Sequence, residues 1–297
     1  MIGIDKIVSI GHLPSFQVEN VWEILENITE DSELIAPEYK SYIPASSLRG
    51  YSPILRFSLT AALSIQQSLG DIKFDAISIG TGLGCLVDTE KFLQQVLTTK
   101  STTLSPTSFI HSTHNTIGGA ISMALQHRGY NMTHTQKYLS FEWALLDGMM
   151  KIKEGNKNVL IGGADEYIPL LQKVRSTLIE SDSPLSSGAT FLNLQESSDV
   201  YIKDLSISYQ NNEQDLKLFL QVNEISEEEI DLILYAKNCP IHLNKQSFLP
   251  YTGIHQCSVG FAYHMAVDAI RHQGKKMILV INDQSAKATS FGLIVEG

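Results

Sequence analysis

Residues 129–166, GYNMTHTQKYLSFEWALLDGMMKIKEGNKNVLIGGADE, constrain the fold more than any other part of the chain. Residues 130–138 mix turn, polar and aromatic side chains and read as a short strand. Over 140–153 the apolar residues fall at Phe141, Ala144, Leu145, Gly148, Met149 and Ile152. That spacing is helical and turns one face to a core. Gly155 stops the helix as a C-terminal glycine does. Residues 159–161 are wholly apolar, as in a strand covered on both faces, and Gly162-Gly163-Ala164 predicts close approach of another backbone. Strand, buried helix and buried strand make a right-handed crossover, the unit of a layered α/β fold.

The flanking sequence repeats this alternation. Strands are expected at 4–10, 76–79, 186–194, 200–209, 231–236, 277–281 and 290–295. Helices are expected at 18–28, 53–69, 89–97, 167–180, 215–222 and 226–230, and in the latter part of 252–273. Residues 31–50 read as loop. Apolar content of 43% and charged content of 18% suit a globular chain of one or two domains. No run of about eighteen apolar residues marks a membrane span. The first residues are too short and polar a stretch for a secretory signal. Cys85, Cys239 and Cys257 are widely spaced, which fits a reducing cytoplasm and no disulfide framework. The net charge of −10 argues against nucleic acid or an anionic membrane as partner.

Short motifs add little. The run Gly80-Thr81-Gly82-Leu83-Gly84 lacks the GxGxxG spacing, and no phosphate-binding lysine follows it. His111 and His114 stand three apart with no third ligand at a set spacing, so no metal or other cofactor is expected. Ser140 is not framed by GxSxG. Lys237 stands near Cys239 and is expected to lower its pKa.

Two further stretches complete a pattern. In 105–129, Asn115 is followed by Gly118, Gly119, Ala120 and Ile121. In 252–273, Gly253 and Gly260 frame the turn before the last long helix. Together with 138–166 they resemble the β-ketoacyl synthases, the condensing enzymes of the thiolase fold. The resemblance implies a thiolase-like layered αβαβα fold, α/β in class, with two pseudo-repeated halves of mixed sheet. These are 1–190 and a shortened 191–297 in one compact unit, with the break near 181–188. In that family a cysteine nucleophile opens the buried helix. Laid on the pattern, its position falls on Tyr138, or with one residue of slip on Lys137 or Leu139. Residues 86–238 contain no cysteine. The first catalytic histidine falls on Lys237, the second on Ile254 with His255 beside it, and the supporting lysine on Leu249. The glycine-rich closing loop falls on Ser285, Ala286, Lys287 and Ala288.

The scaffold of the nucleophile is present without the nucleophile. The chain therefore resembles the small ketosynthase-like proteins and chain-length factors of bacterial aryl-polyene and flexirubin-type clusters. That implies a non-catalytic cytoplasmic subunit that pairs with an active ketosynthase and bounds its acyl tunnel, meeting an acyl carrier protein only indirectly. Phe109, Ser112 and Thr113 are the tunnel candidates. The strand 131–137, with Asn131, Thr133, Thr135 and Lys137, is the candidate partner edge. Two other readings stay open: a thioester-processing enzyme using Cys239, Cys257 or His255, and a free-standing acyl-binding module.

Overall fold

The structure, a computed structural model, describes residues 1–98, 106–178, 183–209, 213–285 and 287–297. In chain order the first half runs β1 (Ile2–Ile10), α1 (Ala45–Leu48), α2 (Pro53–Leu69), β2 (Ala76–Gly80), α3 (Leu86–Thr98), α4 (Pro106–His111), α5 (Thr116–Ala124), β3 (Tyr130–His134), α6 (Ser140–Lys153), β4 (Val159–Asp165), α7 (Pro169–Leu178) and β5 (Gly188–Gln195). The second runs β6 (Val200–Ser208), α8 (Glu213–Val222), β7 (Leu232–Tyr235), β8 (Lys245–Ser247), α9 (Leu249–Thr252), α10 (Val259–Gln273), β9 (Met277–Ser285) and β10 (Ala288–Glu296).

The strands form one mixed sheet in the order β3-β2-β4-β5-β1-β6-β10-β9-β7-β8. Its two ends are the same construction. β2 runs parallel to β3 and β4, and β5 lies antiparallel to β4 and β1. Likewise β7 runs parallel to β8 and β9, and β10 lies antiparallel to β9 and β6. The halves join where β1 pairs with β6 at Ile2↔Ile202 and Gly3↔Tyr201. The pseudo-repeat is thus legible in topology although the two halves share no sequence repeat.

Alternation along the strands sorts their side chains into layers. Val159 and Ile161 of β4 join the central core with Phe141, Leu145 and Met149 of α6 and Met265 and Val267 of α10. Leu160 and Ala164 of the same strand join α2 on the outer face. On the other half, Leu216, Phe219 and Leu220 of α8 cover Ile233, Leu279 and Ile281. With the two halves of the one sheet as its β layers and α6 and α10 between them, this is the αβαβα stack of the thiolase fold.

Several expectations change. Residues 18–28 form one 3-10 turn, Val21–Ile24, instead of a helix. The segment is instead tied to α10, since Val21 N donates to Asp268 Oδ2 and Trp22 Nε1 to the Met265 carbonyl. Residues 31–50 hold α1 and a 3-10 turn, Tyr39–Ser41. Residues 226–230 keep only the turn Glu227–Glu229, under a Ser226–Glu229 capping box. The strand expected over 130–138 stops at His134. The break expected near 181–188 lies partly outside the described residues.

Candidate functional site

α6 starts against the end of β2. Gly80 has no side chain, and a Cβ there would collide with the Ser140 backbone. Here, at Gly80, one backbone closes on another. At Gly162 and Gly163 the space is taken by side chains, Phe191 at the first and Phe141 with Cys257 at the second. Between β3 and α6 the chain turns at Lys137, whose φ of 53° lies in the left-handed region. A long L side chain is strained there by about 1 kcal/mol. Ser140 pins the turn: Gln136 N donates to Ser140 Oγ at 2.8 Å, and Ser140 Oγ donates to the Lys137 carbonyl at 2.7 Å. A strained strand-to-helix turn has the backbone form of a nucleophile elbow. The strain falls on Lys137, whose side chain is exposed, while the Tyr138 ring is half-buried against the central core. Burial, with Asp165 nearby, pushes the Tyr138 hydroxyl up from its ordinary pKa.

The end of β9 meets two of the positions that the family pattern marks, Tyr138 and Lys237. Asn282 Nδ2 donates to the Tyr138 carbonyl at 2.7 Å and to Glu142 Oε1 at 2.6 Å. Ser290 Oγ donates to the same carboxylate oxygen at 2.7 Å. Gln284 Nε2 donates to Ser258 Oγ at 2.9 Å, at the turn before α10. Lys237 Nζ donates to the Gln284 carbonyl at 3.2 Å. Burial raises the Glu142 carboxyl to about 7. Asn282, Gln284, Ser290 and Glu142 were not singled out from the sequence. A polar residue inside a strand or helix pattern reads as a solvent face, and only the fold turns these inward.

Two carboxylates hold the turns of this region by one rule. Asp165, two residues past Gly163, accepts from Gly82 N and Leu83 N at 2.9 Å each and from Thr81 Oγ1 at 3.0 Å. Asp283, two residues past Ile281, accepts from Lys237 N and Asn238 N at 2.7 Å each and from Asn238 Nδ2 at 3.1 Å. Gly163 pairs with Gly80, and Ile281 with Tyr235. The glycine run after β2 and the turn after β7 are therefore pseudo-equivalent, and both are filled by the protein's own carboxylate. A cavity of about 390 Å³ opens beside the second turn, lined in part by Asn238, Cys239, Asp283 and Phe291.

Ile254 and Leu249 stand in the apolar core, 4% and 3% exposed. Ile254 N donates to the Pro184 carbonyl, and its carbonyl accepts from Ser186 N. His255 stands beside Ile254. Its ring lies against Gly188 and lines a narrow slot with His12, and burial lowers its pKa to about 3. The three thiols are all shifted upward. Cys257 lies under the elbow with Sγ 3.4 Å from the Gly80 carbonyl, and burial, Asp165 and Glu142 hold its pKa well above the ordinary value. Burial also raises Cys85 and Cys239. For Cys239 this outweighs a lysine, and that lysine is Lys245, not the expected Lys237. Ala286 of the closing loop lies outside the described residues.

The candidate edge strand ends at His134, so Thr135 and Lys137 lie in the turn beyond it. Within β3, Asn131 faces α5, donating from Nδ2 to the Gly118 carbonyl at 2.9 Å and to Ser122 Oγ at 2.6 Å. Thr133 lies on the same side, near Gly118. Tyr130 and His134 face α6, both bonded to Asp147. The tunnel candidates sit where α4 ends. Ser112 Oγ donates to the Phe109 carbonyl and Thr113 Oγ1 to the Ile110 carbonyl, so side chains cap α4 instead of continuing it. That break puts His111 at the end of α4 and His114 in the turn before α5, off any common helix face.

Comparison with known proteins agrees with this architecture. The family described as beta-ketoacyl synthase, N-terminal domain, matches residues 36–225, more than half of the chain. The chain belongs to the β-ketoacyl synthase family. Among solved structures it is similar to the complex of the ketosynthase ApeO with its chain length factor ApeC from Xenorhabdus doucetiae, with 16% identity, a TM-score of 0.67 and 99% of each chain covered. It is also similar to the ishigamide ketosynthase/chain length factor, at 13% identity and TM-score 0.81 with 99% of each chain covered. The third, at 12% identity and TM-score 0.81 over 100% and 99% of the two chains, is AntDE:AntF, a type II polyketide synthase acyl-carrier protein in complex with its ketosynthase. At these identities the likeness is one of fold. No curated protein matches the sequence. Among the described residues no helix is long and apolar enough to cross a membrane.

Proposed function

We propose that this chain is the non-catalytic partner of an active ketosynthase and forms one wall of that enzyme's acyl tunnel. The observation that carries the reading is the elbow. Its strained position is Lys137, its neighbour is Tyr138, and the one thiol beneath it, Cys257, is buried and held protonated. Covalent acyl transfer needs an accessible, activated nucleophile, and this arrangement offers none. Phe109, Ser112 and Thr113 form the floor of the shared tunnel, and the free edge of β3 meets the partner. Ketosynthase and chain-length-factor complexes among the structural neighbours support the pairing. An acyl carrier protein is met through the partner, in the cytoplasm.

The purified chain, incubated with acyl and malonyl thioesters, should keep its unmodified intact mass. Mixed with a ketosynthase encoded near its gene, it should support product formation that neither protein gives alone. A stoichiometric acyl adduct on Cys239 or Cys257 would overturn the reading in favour of a thioester-processing enzyme.

A further inference from the structure

α3 meets α4 and the turn that follows it through two residues one helical turn apart. Thr89 Oγ1 lies 2.8 Å from the Cys85 carbonyl just before α3 and 3.1 Å from the Ser112 carbonyl, and its one proton is shared between the two. The rings of Phe92 and Phe109 pack with centroids 5.5 Å apart and planes tilted by 58°. Thr89 and Phe92 are separated by three residues, so one face of α3 makes both contacts. Phe109 is 57% exposed, so the far side of its ring is open and Phe92 is the aromatic support behind it. Two of the three tunnel-floor candidates are thus placed by α3, an element that sequence reasoning left without a role.

We infer that Phe92 and Thr89 are positioning residues for chain length. The Phe92 ring sets how far Phe109 reaches outward, and the Thr89 hydroxyl fixes the backbone that carries Ser112. Neither residue need touch the growing acyl chain. The inference rests on the proposed tunnel role of Phe109 and Ser112. Phe92→Ala leaves Phe109 unsupported; its ring falls back toward α3, the floor deepens, and products lengthen. Phe92→Tyr keeps the ring contact and should keep the native product. Thr89→Val removes the donor at nearly constant shape and should broaden the distribution.

The experiment uses the full chain assembled with its ketosynthase, with complex mass checked by native mass spectrometry and products sized by mass spectrometry. Longer chains from both Phe109→Ala and Phe92→Ala, with native length restored in Phe92→Tyr, are expected. Longer chains from Phe109→Ala alone would overturn the role of Phe92 while leaving the floor in place. Unchanged products from both variants in an intact complex, or no complex with the native chain, would remove the tunnel reading and this inference with it. Should Phe92→Ala fail to assemble, Phe92→Leu keeps bulk without a ring face and carries the same expectation.

Discussion

Glu142 occupies the first turn of α6, wholly buried, with Oε1 taking two hydrogen bonds from Asn282 and Ser290. Burial outweighs those bonds and raises its carboxyl from 4.5 to about 7. Glu166 is raised to about 7 and Asp165 to about 6 for the same first cause. A folded-state pKa above the unfolded value means that the native state holds the proton more tightly. The stability this gives is present below about pH 4.5 and is lost as pH rises through 7. His255 and His264, lowered to about 3 by burial, act oppositely, and their loss begins only as pH falls below 6.5. Denaturant titrations at pH 6.5 and pH 8 should therefore show a less stable protein at the higher pH. Glu142→Gln should reduce that difference, Glu142 alone supplying on the order of 1–3 kcal/mol over the whole titration. Equal pH dependence in the two proteins would show Glu142 to be uncoupled. That no cysteine opens α6 was legible in the sequence, since residues 86–238 hold none. Glu142 was not, because one carboxylate in a helical pattern looks like a wet face until β9 and β10 close over it.

Among the elements, 53–69 and 140–153 were legible because one face of each meets a sheet at the 3.6-residue period. The pattern at 18–28 misled because the groups that settle it, Asp268 and the Met265 carbonyl, lie about 245 residues further along the chain. The clamp at the end of β9 was hidden for a related reason. Asp283 finds its donors on the turn after β7, a neighbour only once two parallel strands are in register. It takes two backbone N–H groups and the Asn238 amide, so Asp283→Ala leaves three donors without their carboxylate. Hydrogen bonds to a charged group are worth about 1.5–3 kcal/mol each, with water recovering part of the loss in a half-exposed turn. A destabilisation of about 2–3 kcal/mol is expected in chemical denaturation, with Asp283→Asn nearer the native value. A change below about 0.5 kcal/mol would mean that the turn does not depend on this carboxylate.

Across the whole molecule the two ends of the sheet share one pairing pattern, but their edge strands, β8 and β3, differ. β8 is three residues long, and its Lys245 is drawn over to the Cys239 and Ile241 carbonyls, a short, charged and blunted edge. β3 is five residues long and, among the described residues, pairs with β2 on one side only. Its side chains Asn131 and Thr133 turn to α5, and Tyr130 and His134 to α6, so the strand offers a partner chiefly its backbone. Exposed apolar residues accompany it: Met132 on the strand, Met123 on α5, and Phe109 and Ile110 on α4. An unpaired edge flanked by apolar surface is the form of an interface. A second copy of this chain would satisfy it, yet would close a tunnel around two elbows without an activated thiol. A ketosynthase would supply one catalytic elbow facing this wall. Obligate interfaces of this kind bury more than about 2,000 Å² in total, so the chain alone should be poorly soluble or self-associated. Co-expression with a ketosynthase encoded nearby should give a one-to-one complex by native mass spectrometry. Met132→Asp places an unpaired charge at the joint and should reduce the recovered complex at least about tenfold, a penalty of 1.4 kcal/mol or more. A soluble, monodisperse homodimer that ignores every such ketosynthase would instead leave this fold as a free-standing acyl-binding module.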